Sequence, residues 1–123
     1  MLFDQLKVGE FDGKLPPFEG YDQSTLEMTI DGAVRFASEK LAPIYEEAEE
    51  VGVKIVDGAA ILPEVFEDAY RHFCENGYLS VGRNPEYDGM GMPMAISVAC
   101  TEIFCGAAPS FMFTPGLTDA AAH

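Results

Sequence analysis

Residues 84–93 read Asn84-Pro85-Glu86-Tyr87-Asp88-Gly89-Met90-Gly91-Met92-Pro93. Helix–helix connections usually need only two to eight residues. This one packs two prolines, two glycines, two acids and a tyrosine into ten residues, so it does more than reverse the chain. Its flanks decide the fold. Upstream, Val65, Phe66, Ala69, Tyr70 and Phe73 recur at helical spacing. Pro63 opens that helix at its first position, where a missing N–H costs nothing, and Asn76-Gly77 closes it with a left-handed cap. Downstream, Met94, Ala95, Ile96, Val98, Ala99, Cys100, Ile103 and Phe104 leave residues 93–105 almost without a polar face. A helix apolar all round is expected to be enclosed on every side.

Further out, Ser24-Thr25-Leu26-Glu27 has the S-x-x-E spacing of a capping box. From there Leu26, Ile30, Ala33, Val34, Ala37, Leu41, Ile44, Tyr45 and Ala48 form one apolar stripe. Pro43 lies inside it, lacks an amide hydrogen and predicts a kink in a helix over 24–50. Residues 51–62 alternate loosely around Asp57-Gly58, which predicts a small hairpin. Residues 1–23, with five Gly and Pro, read as an irregular arm packing through Phe3, Leu6, Phe11, Phe18 and Tyr21. Beyond Gly106, Pro109-Ser110 reads as a bend. Thr114-Pro115 reads as the cap and first turn of a fourth helix, barely begun at His123. The expectation is an all-α chain of about four helices, the N-terminal part of a larger, truncated protein.

Composition narrows the partners. The 123 residues suffice for one modest core, and 48% hydrophobic content is that of a globular chain. Twenty-one acids against seven Lys and Arg give a formal charge of -14. Such a field disfavours nucleic acid and anionic membrane surfaces. Cys74, Cys100 and Cys105 are odd in number, and the start lacks the basic head and apolar run of an export signal. Free thiols in a reducing cytoplasm are the expectation. Cys100 and Cys105 lie five residues apart, about 500° around a helix, which separates their sulfurs and argues against a shared metal. No apolar run reaches membrane-spanning length.

Candidate chemistry is thin. Glu102 is the one charge in the apolar helix, readable as a raised-pKa acid or base or as a structural carboxylate that caps or pairs. His72 reads as a solvated surface histidine. The cysteines have no flanking His or basic cluster to generate a thiolate, so they read as core. Met90, Met92 and Met94 suit either an adaptable apolar surface or core filling. There is no phosphate-loop motif, and Gly89-Met90-Gly91 lacks the third glycine of a dinucleotide fingerprint.

The string Pro85 to Pro93 resembles the P-E-Y-G-G-L-G-x-P signature of the acyl-CoA dehydrogenase family, with Asp88 in place of its first glycine. Asp tolerates left-handed backbone better than most residues. Arg35-Phe36-Ala37 with Leu41-Ala42-Pro43, the Pro63-to-Gly77 helix, and Thr101-Glu102-Ile103 resemble further family elements in the same order. The likeness covers about residues 24–123. The arm, the 51–62 insert and the stretch from Phe111 to Leu117 are similar to the larger bacterial enzymes of the 3-methylmercaptopropionyl-CoA dehydrogenase type.

The resemblance implies the N-terminal helical domain of an FAD-dependent enzyme oxidising acyl-CoA to 2,3-enoyl-CoA. A carboxylate base takes the α-proton and the flavin takes the β-hydride. Base and most flavin contacts belong to other parts of such an enzyme, so the chain alone is expected to be inactive, with no catalytic residue to assign. Phe111, Phe113, Pro115 and Leu117 are candidate walls of the acyl site, equally readable as packing residues. They depart from the polar residues some members place there. Implied partners are the remaining domains, acyl-CoA, an electron-transfer partner and a second copy. Rival readings are a stand-alone helical interaction module and part of an acyl-CoA oxidase.

Overall fold

The computed structural model describes residues 1–8, 10 and 20–121. Helix α1 runs Gln23–Phe36. Asp22 caps it, with Oδ1 accepting from both the Thr25 amide and the Thr25 hydroxyl at 2.8 Å. The expected box at Ser24 is not used: the Asp lies earlier in the chain, and Gln23 Nε2 donates to the Glu27 carboxylate at 2.7 Å on the exposed side. Leu26, Ala33 and Phe36 are buried on one stripe.

The helical path then widens and tightens around Pro43. Ala37–Leu41 is a π-turn, in which the Ala42 amide donates to the Ala37 carbonyl. Ala42–Ile44 is a 3₁₀ turn, and α2 follows at Tyr45–Val51. Pro43 offers no donor and its ring crowds the preceding turn, so the ladder changes pitch there. The interruption predicted from the sequence is present.

Gly52, at φ 61°, ends α2. Strands β1 (Lys54–Val56) and β2 (Ala59–Ile61) pair antiparallel with Val56 opposite Ala59 and Lys54 opposite Ile61. Asp57 and Gly58 both have positive φ, 52° and 81°, as a two-residue type I′ turn demands. Every residue of both strands is exposed.

Helix α3 spans Val65–Glu75 and buries Phe66, Ala69 and Phe73. It starts later than Pro63, whose carbonyl accepts from the Phe66 amide at 3.0 Å. Gly77, at φ 75°, closes it as expected.

The opening stretch is a closed loop. Asn84 Oδ1 accepts from the Glu86 amide at 2.9 Å and starts a 3₁₀ turn over Pro85–Tyr87. Asp88 is left-handed at φ 59°, the conformation predicted for it. Amides of Met90, Gly91 and Met92 donate to carbonyls of Ser80, Arg83 and Val81 at 2.9, 2.8 and 2.9 Å. A Cβ at Gly89 would lie 2.2 Å from the Arg83 carbonyl oxygen, so only glycine permits this approach. The Tyr21 hydroxyl donates to the Met90 carbonyl and ties the N-terminal segment to the loop.

Helix α4 runs Met94–Ala107 and buries Ile96, Cys100 and Phe104. Ala108, fully buried, is the whole connection to α5 at Pro109–Ala121. The predicted start at Thr114-Pro115 is therefore corrected. Pro109 takes the first position, which needs no N–H, and Pro115 lies inside the helix. Among the described residues, four helices of 11 to 14 residues and the short α2 make the fold all-α apart from the ribbon.

The core is aromatic. Phe73, Tyr78, Phe104 and Phe111 meet edge-on or tilted, with centroids 4.9 Å apart for Tyr78–Phe104 and 5.6 Å for Phe73–Phe111; such pairs add about 0.5–1.5 kcal/mol beyond area burial. Of the arm's predicted contacts, Phe3 and Tyr21 pack partly against this core and Leu6 is exposed. Phe11 and Phe18 lie outside the described residues.

Candidate functional site

Helix α4 packs against α1 and α5, and this determines which of its apolar faces is covered. Ile96, Cys100 and Phe104 recur every four residues and face inward. Met94 and Val98 are more than half exposed, at 55% and 56%, and Thr101, Glu102 and Cys105 are exposed with them. Enclosure on every side was expected within a larger protein; the described residues cover one side of α4 and leave the other open. The composition of α4 follows from two apolar faces, one of them open.

Met94 and Val98 form a ridge between two grooves. One, of about 300 Å³, lies toward α5 and is lined by Ser97, Thr101, Pro115, Gly116 and Asp119. The other, of about 560 Å³, lies toward the N-terminal segment and α1 and includes Leu2, Leu6, Ile30, Ala99 and Glu102. The Thr101 hydroxyl donates to the Ser97 carbonyl at 3.0 Å. At the far end, Arg83 Nε donates to the Asp119 carboxylate at 2.9 Å, anchoring the last turns of α5 to the loop. Arg83 is 22% exposed, so this pair is better shielded than the rest of the surface charges.

The four candidate wall residues divide into two pairs. Phe111 and Pro115 are buried, while Phe113 and Leu117 are about 70% exposed, at 70% and 69%. Residues two apart on a helix differ by about 200°, so once α5 begins at Pro109 the two pairs must face opposite ways. Phe111 packs on Phe66, Tyr70 and Phe73 and is core. Met94 and Val98, which sequence reasoning placed in a buried helix, instead join the open surface. The signal was the absence of a polar face on α4.

The remaining candidates are dispersed. Glu102, read from the sequence as either an acid or base in a buried helix or a carboxylate that caps or pairs, is exposed at a groove rim. Cys100 is buried, and burial pushes its thiol up to about 11. Cys74 and Cys105 are exposed. Tyr78 is raised above the ordinary phenol value, chiefly by burial. His72 is half-buried on the outer side of α3, with Nδ1 3.1 Å from Glu75 Oε2 and Nε2 3.5 Å from Asp68 Oδ2. Arg71 pairs with Asp68 and, through that hydrogen bond, holds its carboxyl below the usual range. This is a surface ion-pair network, without a nucleophile. Among the described residues no group of His, Cys, Asp or Glu suits a metal ion, and no helix is long and apolar enough to cross a membrane.

What the geometry offers is an apolar wall rather than a set of reacting groups. Comparison with known proteins identifies the family. The sequence model of the family described as "Acyl-CoA dehydrogenase, N-terminal domain" matches residues 23–123. A 3-methylmercaptopropionyl-CoA dehydrogenase of Ruegeria pomeroyi is 36% identical over 87 residues, which are 71% of this chain and 15% of that protein. A butyryl-CoA dehydrogenase of Syntrophomonas wolfei is 31% identical over 104 residues, 82% of this chain and 17% of that protein. The chain thus spans about a sixth of the length of these curated relatives. With the family model matching residues 23–123, the chain belongs to the acyl-CoA dehydrogenase family and carries its N-terminal domain.

Proposed function

We propose that this chain serves as the helical domain of an FAD-dependent enzyme that converts an acyl-CoA to its 2,3-enoyl-CoA. Its part there is to wall the acyl group. The observation carrying this reading is the apolar surface left open on two helices that pack against each other: Met94 and Val98 on α4, and Phe113 and Leu117 on α5, are all exposed. Burying such a face against the acyl chain and the remaining domains gains about 25 cal/mol per Å² of apolar area. Phe111 and Pro115 act behind it, setting the position of α5 from the core.

The signature loop does not itself offer a site for the flavin pyrophosphate. Binding a dinucleotide pyrophosphate calls for free backbone amides or basic side chains. The glycine-containing loop spends the amides of Gly89, Met90, Gly91 and Met92 on residues 80–84, and Arg83 is engaged by Asp119. In this proposal the flavin and the carboxylate base belong to the remaining domains. The parent works in the cytoplasm as a homo-oligomer and hands electrons to a separate acceptor protein.

The test supplies the 123-residue chain with FAD, an artificial electron acceptor, and butyryl-CoA or 3-methylmercaptopropionyl-CoA. No enoyl-CoA should form, and the flavin spectrum should stay that of the free cofactor. Turnover by the chain would overturn the assignment of a walling role.

A further inference from the structure

The hairpin carries a feature that the acyl-walling role does not use. Its strands contribute Ile55, Val56, Ile61 and neighbouring Leu62 to the surface, all at least 44% exposed. An isolated two-stranded ribbon is marginal in water, and exposed strand edges template further pairing. In the observed register, Val56 is opposite Ala59 across a two-residue turn. Antiparallel alternation then directs the Ala60 N–H and C=O away from β1. Among the described residues neither group has a hydrogen bond outside the ribbon.

That outward edge borders a cavity of about 430 Å³ lined by Ala60, Ile61, Leu62, Phe66, Tyr70 and Phe111. Side chains of successive strand residues point to opposite faces. Ala60 and Ile61 of β2 line it together with Leu62, which follows the strand. No β1 residue joins the lining, so the cavity adjoins the β2 side of the ribbon, where the Ala60 N–H and C=O point outward. The volume lies within the range of pockets that take small ligands, about 300–1,000 Å³. Charge selects the occupant. Glu67 stands at this cavity, and Glu49 stands in the groove on the other side of the hairpin base with Val53 and Leu62. The chain carries a net -14.

We propose that the outer edge of β2 is a strand-addition site for an extended segment of another protein, one that alternates apolar and basic side chains. Its main chain pairs with Ala60, an apolar side chain fills the cavity beside Phe66 and Phe111, and a basic side chain faces Glu67. Main-chain pairing supplies affinity and the pocket supplies selection. A second copy of this chain fits poorly, because it would bring the same carboxylates to the same edge.

The probe is an acetylated, amidated peptide of three valine-lysine repeats, titrated into the ¹⁵N-labelled 123-residue chain. Saturable amide shifts are expected at Ala59–Leu62, Tyr70 and Phe111, with slowed hydrogen exchange at Ala60. The valine-glutamate counterpart should leave the spectrum unchanged. Glu67→Gln should weaken binding about twofold to fivefold, the range of an exposed ion pair. Ala60→Pro removes only an outward N–H, which an edge strand tolerates, and should abolish binding while cross-strand contacts between β1 and β2 persist. Should that variant lose the hairpin, a peptide N-methylated at alternate residues replaces it, and its binding as tightly as the parent peptide would overturn the proposal. So would an absence of shifts, equal response to the glutamate peptide, shifts confined to α4, or self-association of the free chain abolished by Ala60→Pro.

Discussion

Cys100 and Cys105 show how position on one helix separates two identical groups. Cys100 is buried and its thiol is pushed up to about 11, whereas Cys105, like Cys74, is exposed. At pH 8 the Cys100 thiolate fraction is then about one in a thousand, and the thiolate is the reactive species. Titration with an aromatic disulfide reagent should modify Cys74 and Cys105 quickly and Cys100 only on unfolding. Asp22 supplies a second residue-scale test. Hydrogen bonds from the Thr25 amide, then from its hydroxyl, lower its carboxyl below 3.8. A carboxyl lowered on folding contributes stability that is full above its unfolded pKa and is lost as pH falls through its folded one. The gap in Tm between the native chain and Asp22→Ala should therefore hold above about pH 4 and shrink below it. An unchanged gap down to strong acid would remove the capping role. That role was hidden in the sequence because Ser24 and Glu27 also satisfy a capping pattern, and a side-chain oxygen chooses its amide only once the chain direction into the helix is set.

At the scale of elements, α4 is the informative case. Ile96 is fully buried and Val98, two residues on, is 56% exposed. Truncating a buried isoleucine costs about 2–5 kcal/mol through lost transfer energy and the cavity left behind. Ile96→Ala should fall in that range in urea denaturation of the chain, while Val98→Ser should stay within about 0.5 kcal/mol. Equal costs at both positions would mean that α4 is covered on both faces. The helices, the break at Pro43 and the turn at Asp57-Gly58 were legible in the sequence. Each rests on local physics: the 3.6-residue period, proline's missing donor, or the left-handed conformation open to glycine and aspartate. The start of α5 was misread because Thr114-Pro115 and Pro109-Ser110 carry the same kind of local signal. The single buried residue Ala108 between the helices decided in favour of Pro109.

For the molecule as a whole, an open apolar face coexists with a formal charge of -14. A charge of that size opposes association of copies at low ionic strength, whereas neutral apolar molecules meet no such repulsion. Nile red fluorescence should rise on adding the chain, and Val98→Glu with Phe113→Glu should remove most of the rise without loss of helical circular dichroism. A rise unaffected by the double variant would place the accessible surface elsewhere. The sequence by itself determined the helices up to α4, their order and the long glycine-containing turn before α4, because these depend on residues near one another in the chain. Tertiary structure alone decided which side of α4 lies open and that Phe111 and Pro115 face inward while Phe113 and Leu117 face out. Burial is a property of what packs against a residue, and α1, α3 and α5 reach those positions from distant parts of the chain.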